Sequence, residues 1–323
     1  MTTYKEIRGT NIEAVASDPS NPVEGQVWYN TTTNVVKGNF INPGSWATVN
    51  SMNTARLGLG GAGTQTSALG FGGDLGGTVS AATETWNGTS WTEVNNLNTG
   101  REFLAGAGTQ TSALGFGGFT PPSTYQAVTE LWNGTNWTEV NDLNQGRQRL
   151  TGVGATNTAA LAFGGEYSGV PATALTETWN GTNWTEVNDL NTAREKMGGC
   201  GTNTAALGFG GSPTGGVGLT ETWNGTNWTE VNDLNTARSY MGGCGTTTAA
   251  LAFGGSPSGG VAFTELWNGT NWTEVNDLNT ARAQLAGAGT QPAALAFGGQ
   301  NPSASAATEE WNVGPQTVTF DVS

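Results

Sequence analysis

The chain contains no histidine. That absence removes Ser-His-Asp and Cys-His catalysis, and every His-ligated metal site with them. Cysteine occurs only at Cys200 and Cys244, too few for a disulfide scaffold. Charge is sparse: 11% of residues are Asp, Glu, Lys or Arg, against roughly 25% in an average globular chain. Basic charge is scarcest, with 11 Lys and Arg against 25 Asp and Glu and a net charge of −14. A phosphate backbone needs cations to replace its counterions, so no nucleic-acid partner is expected. No apolar run approaches the roughly 18–20 residues of a membrane span, so no membrane insertion is expected either. Met1–Asn21 has no apolar core of the signal-peptide kind, and no secretory leader is expected.

Glycine and tryptophan are abundant instead, with 51 and 13 positions among 323. Disordered chains are poor in aromatics, so the composition describes a folded, turn-rich protein. Internal repetition organises it. Phe-Gly-Gly ends at Gly73, Gly118, Gly165, Gly211, Gly255 and Gly299. A tryptophan pair follows in register: Trp86/Trp91, Trp132/Trp137, Trp179/Trp184, Trp223/Trp228 and Trp267/Trp272. The sixth copy keeps Trp311 but has Gln316 in the second position. An arginine recurs at Arg56, Arg101, Arg147, Arg194, Arg238 and Arg282.

Each unit reads as four short strands. In the fourth copy these are Lys196–Gly201, Ala205–Phe209, Thr220–Trp223 and Trp228–Val231. Asn224-Gly225 turns the last pair, because both residues tolerate positive φ. Four strands at a period of about 45 residues predict a β-propeller blade. Leucine-rich repeats are shorter, and no 3.6-residue apolar period supports helical repeats. The small residues of the first strand suit the crowded central axis.

The Gly-Gly pair, the two tryptophans and the arginine after Leu-Asn-x-x resemble Kelch repeats, over residues 46–323. The resemblance implies an all-β, six-bladed propeller, or a seven-bladed one, closed by a strand from the opposite terminus. Six first, second and third strands need six fourth strands. Ser45–Val49 carries the fourth-strand motif around Trp46, so this N-terminal strand is expected to close the blade of Trp311. The alternating segment Thr317–Val322 competes for that place. If it wins, the N-terminal segment is free to form part of a seventh blade.

Residues 1–45 differ in character and are expected to form a separate segment. Gly25–Gly38 reads as a hairpin, two apolar arms around a polar turn. It resembles short segments of bacteriophage tail-fibre and other virion proteins. The blade string Thr-Glu-x-Trp-Asn-Gly-Thr-Asn-Trp-Thr-Glu-Val is similar to Kelch-like structural proteins of marine phages. By that resemblance, residues 1–45 with Trp28, Tyr29 and Asn30 form an attachment segment for other virion proteins. Read from the residues alone, they are an extra hairpin.

Repetition separates candidate chemistry from architecture. The glutamates of each Thr-Glu-x-Trp motif (Glu84, Glu130, Glu177, Glu221, Glu265, Glu309) and the repeated arginines read as structural partners, since buried charges need partners. Cys200 and Cys244 fill a slot held elsewhere by Ala62, Ala107, Val153 and Ala288, as small apolar residues do. Asp142, Asp189, Asp233 and Asp277 would supply oxygen to calcium. Their spacing is not an EF-hand loop, and Asn-Asp is good turn chemistry. Asn-Gly-Thr and Asn-Trp-Thr are read as hairpin residues and not as glycosylation sites. Galactose-oxidase-like enzymes need histidine at copper, and the Asp-box of sialidases is missing. No carboxylate pair for a glycosidase stands out from the repeat. No catalytic residue, cofactor or metal is therefore expected, and the chain is read as a non-enzyme.

The departures from repetition point elsewhere. Segments 74–82, 119–128, 166–175, 212–219, 256–263 and 300–307 link the second and third strands and vary in length and content. Alternating strand directions place all six on one face. Phe119, Tyr125 and Tyr167 are the aromatics of the two longest, and exposed aromatics suit stacking on carbohydrate or a protein hot spot. The combined expectation is a tail-associated virion protein, assembled in the host cytoplasm, binding a host-surface glycan or protein through this face. Many copies on one particle add avidity to a weak single site. The alternative is a decoration or spacer protein with no host ligand. Homo-oligomerisation is left open.

Overall fold

The computed structural model describes residues 12–20, 25–41, 44–213, 215–256 and 259–320. It contains strands and turns and no helix among the described residues. The chain divides into two compact units, Ser45–Asn312 and Met1–Gly44 with Val313–Ser323.

The larger unit is a β-propeller built from six four-stranded antiparallel sheets. The first blade runs Gly60–Thr64 (strand a), Ser67–Phe71 (b), Thr83–Trp86 (c) and Trp91–Val94 (d). The other inner strands are Ala105–Thr109, Thr151–Thr156, Gly198–Gly201, Gly242–Gly245 and Ala286–Thr290. Each neighbours the next, and Ala286–Thr290 returns to Gly60–Thr64, so the ring closes on itself. Strand d of the sixth blade is Ser45–Val49, which pairs with Thr308–Asn312 in a register that sets Trp46 opposite Trp311. The strand Pro315–Phe320 does not compete for that place, because its partner is Val35–Ile41 in the smaller unit.

Each repeated residue has a contact that explains its recurrence. The phenylalanine of strand b packs on the strand-d tryptophan of the next blade, as Phe71 does on Trp137 with ring centroids 4.9 Å apart. That indole donates to the first threonine of the preceding strand c, Trp137 to Thr83 Oγ1 at 3.0 Å. The same bond links Trp91 to Thr308 and Trp46 to Thr264, so the seam at the chain ends is built like the others. Buried aromatic pairs are worth about 0.5–1.5 kcal/mol beyond their area burial. After each phenylalanine the chain turns through two glycines at positive φ, 67° and 101° at Gly72 and Gly73. On strand a, close approach demands glycine: a Cβ on Gly106 would lie 2.4 Å from the carbonyl oxygen of Gly61 in the preceding blade.

In the fourth blade, strand a begins at Gly198 and strand b at Ala206, not at Lys196 and Ala205 as the pattern suggests. Lys196 sits instead at φ 60°, a left-handed conformation that no strand accommodates.

The smaller unit is a four-stranded sheet in the order Glu13–Val15, Val27–Asn30, Val35–Ile41, Pro315–Phe320. The expected hairpin is its centre, with Tyr29 opposite Val36. Residues after Asn312, expected with the propeller, group with this sheet because their final strand pairs there.

Candidate functional site

The repeated polar residues are committed to the scaffold. Every repeated arginine is fully buried and pairs with the glutamate of its blade's strand c, at 2.5–2.8 Å. Burial lowers each guanidinium pKa, and the facing carboxylate pulls it back up. The glutamates also accept from the d-to-a connection, as Glu130 does from the backbone and side-chain amides of Asn98. The aspartates of those connections each accept one strand-c amide, Asp142 from Thr129 N at 3.1 Å and Asp189 from Thr176 N at 2.9 Å. Asn96 does the same for Thr83 N, which explains why either residue serves. No acidic or thiol cluster able to hold a metal occurs among the described residues. Cys200 and Cys244 are buried free thiols of strand a, and burial pushes Cys200 up to about 12.

Repetition stops directly after each arginine, and the second residue on is a slot of uniform backbone and varied side chain. The slot holds Gly58, Phe103, Arg149, Lys196, Tyr240 and Gln284. All six have left-handed φ between 52° and 60°. Their backbones form a closed ring around the propeller axis. Phe103 N donates to Gly58 O at 2.7 Å, Arg149 N to Phe103 O, Lys196 N to Arg149 O, Tyr240 N to Lys196 O, Gln284 N to Tyr240 O, and Gly58 N to Gln284 O at 3.0 Å. Glycine adopts this conformation freely, whereas an L-residue there is disfavoured by about 1–2 kcal/mol. A chain with 51 glycines uses glycine at only one of the six positions. Backbone strain of this kind concentrates at functional sites.

The side chains converge on the mouth of the axial channel, around a space of ≈ 90 Å³. The Arg149 guanidinium lies 4.8 Å from the Phe103 ring centre and 5.8 Å from that of Tyr240. It pairs with Glu166 at 2.5 Å and faces Glu195 at 3.7 Å. Lys196 Nζ pairs with Glu195 at 2.5 Å and lies 5.1 Å from the Tyr240 ring centre. Within residues 45–312, Arg149 and Lys196 are the cations outside the repeated arginine slot. Gln148 Oε1, Arg149 Nε and Gln284 Oε1 are buried without a hydrogen-bond partner. Desolvation raises the Glu195 and Glu102 carboxyls, and lifts the Tyr240 phenol to about 12.

The b-to-c loops open on this same face, since Gln148 is bridged to Glu166 and Glu102 to Phe119. Phe119 and Tyr125 face each other across a two-stranded ribbon, rings edge-on at 5.3 Å. Tyr167 is bridged to Val170 in the next loop. Tyr125 and Tyr167 line one depression of ≈ 520 Å³ together with Thr124, Gln145 and Ser168. Phe119 is not on its wall and backs Tyr125 instead.

In the smaller unit, the expected attachment residues Trp28, Tyr29 and Asn30 lie on one strand with alternating burial. Trp28 is fully buried and Asn30 is 4% exposed. Both donate to Asp18 Oδ1, at 3.0 and 2.7 Å, while Lys37 holds Oδ2 at 2.6 Å. Hydrogen bonds from Lys37, Asn30 and Trp28 lower the Asp18 carboxyl to about 2. Tyr29 alternates to the other face, half-buried, with its hydroxyl on Asn34. Strand alternation thus places Trp28 and Asn30 on one face, packed on Asp18.

Fold and site together define a β-propeller with one chemically diverse face. No family model and no curated protein matches the sequence. Among solved structures the chain is similar to YjhT, a Kelch-type propeller, with a TM-score of 0.66 and 11% identity. The match covers 83% of this chain and 99% of YjhT, and it carries the fold alone.

Proposed function

We propose that the chain is a binding protein that presents the axial mouth and the b-to-c loops of its propeller to a target. The observation that carries this reading is the slot after the repeated arginine. Six positions with one backbone geometry hold six different side chains, five of them against conformational preference. Glu166 Oε1 and Glu195 Oε1 are held by Arg149 and Lys196, so the two cations of the mouth are already paired.

The setting we propose is a virion, with the protein tail-associated and the target a glycan or protein on the host surface. The hairpin Gly25–Gly38 and the blade string support that setting through their resemblance to phage structural proteins. Residues 1–45 would then face other virion proteins. A second reading, a decoration or spacer part, is favoured by one feature: Arg149 and its aromatic neighbours already fill much of the mouth.

Labelled protein applied to a panel of marine bacterial cells tests the choice. Saturable binding, lost when loops 119–128 and 166–175 are shortened, supports the receptor reading. Incorporation into virions without binding to any cell supports the decoration reading.

A further inference from the structure

The groove between the loops of blades 2 and 3 differs from the rest of this acidic molecule. Its lining includes Thr124, Tyr125, Gln145, Tyr167 and Ser168 and no charged side chain, although the chain carries −14 overall. Its ≈ 520 Å³ falls within the range of ligand pockets, about 300–1,000 Å³. Hydroxyls and amides dominate the wall, with two half-buried tyrosines as the aromatic surface. A protein partner anchors through a dehydrated apolar centre, and this wall offers only Ala127 as aliphatic surface. A sugar chain presents alternating hydroxyl rims and C–H faces, which match hydroxyls, amides and ring faces. Phe119 holds Tyr125 from behind, so less ordering is left for binding to impose.

Glu166 of the mouth cluster and Tyr167 of the groove wall are consecutive residues. At the mouth the two cations are balanced by Glu166 and Glu195, leaving no surplus positive charge for an acidic ligand. The unpartnered buried atoms there are three acceptors, Gln148 Oε1, Glu195 Oε2 and Gln284 Oε1, and one donor, Arg149 Nε. Hydroxyl groups satisfy both kinds at once. The ≈ 90 Å³ at the mouth is too small for a sugar ring, whereas the ≈ 520 Å³ of the groove is not.

We infer that the groove binds an uncharged oligosaccharide, stacked on Tyr125 and Tyr167. This rests on the binding reading above and names its ligand class.

The test uses the full chain and two immobilised panels: short neutral glucan and galactan oligosaccharides, and uronate-containing or sulfated ones of matching length. The neutral panel should retain the protein. Tyr125→Ala and Tyr167→Ala should each weaken retention about tenfold or more. Tyr125→Phe keeps the ring and should weaken it much less. Unchanged unfolding midpoints separate lost binding from lost fold. Retention by the acidic panel alone overturns the inference, as does neutral binding indifferent to both tyrosines. Protease-sensitive binding to cells with no sugar retained overturns the ligand class but leaves the binding reading standing. Failure to bind either cells or sugars overturns both.

Discussion

Arg101 and Phe103 are two residues apart, and their columns in the repeat obey opposite rules. The arginine column is invariant across six blades, fully buried, and paired each time with a strand-c glutamate. The column of Phe103 holds six different residues on a strained but uniform backbone. One column specifies the fold, and the other varies from blade to blade on the same backbone. Where every blade needs the same bond, substitution is costly six times over. Where the backbone ring alone supplies the bond, the side chain is released from structural duty.

Substitutions break or sharpen that contrast. Arg101→Met removes the partner of a buried carboxylate and should destabilise by about 3–5 kcal/mol, read as a lower denaturant midpoint. Gly106→Ala drives a methyl group toward the Gly61 carbonyl and should cost about 1–3 kcal/mol in the same measurement. Gln284→Gly, in the variable column, should go the other way. It relieves a left-handed residue and should gain about 1 kcal/mol, visible as a raised thermal midpoint.

The smallest effect belongs to the smaller unit and depends on pH. The folded Asp18 carboxyl titrates near 2, below its unfolded value of 3.8. A depressed pKa adds stability above the unfolded value, lost as pH falls through the folded one. The sheet around Trp28 should therefore loosen between pH 4 and pH 2. The Trp28 indole N–H resonance, donated to Asp18, reports it, and Asp18→Asn should flatten the dependence.

The propeller was legible because its determinants recur. Phe71, Trp137 and Thr83 each stand in a column of like residues, so spacing alone placed them in blades. Strand closure by Trp46 was legible from counting strands. The partner of Pro315–Phe320 was not, because its alternation says strand without saying beside what. Trp28 and Asn30 showed which residues share a face, but nothing local announced that Asp18 sits beneath them. The mouth was hidden for a different reason. Phe103, Arg149 and Tyr240 lie far apart in sequence and meet only when the ring closes. The signal was present as a variable stretch directly after an invariant arginine, and it reads as loop filler until the axis gathers it.

The most direct test sets the two columns side by side. Phe103, Tyr240 and Gln284 are replaced together by glycine, the residue already present at position 58, leaving the ion pairs intact. Thermal unfolding and binding to target cells are measured beside Arg101→Met. The account predicts a thermal midpoint at or near that of the parent chain with binding abolished. A midpoint that falls as far as that of Arg101→Met, or binding that survives, would contradict it.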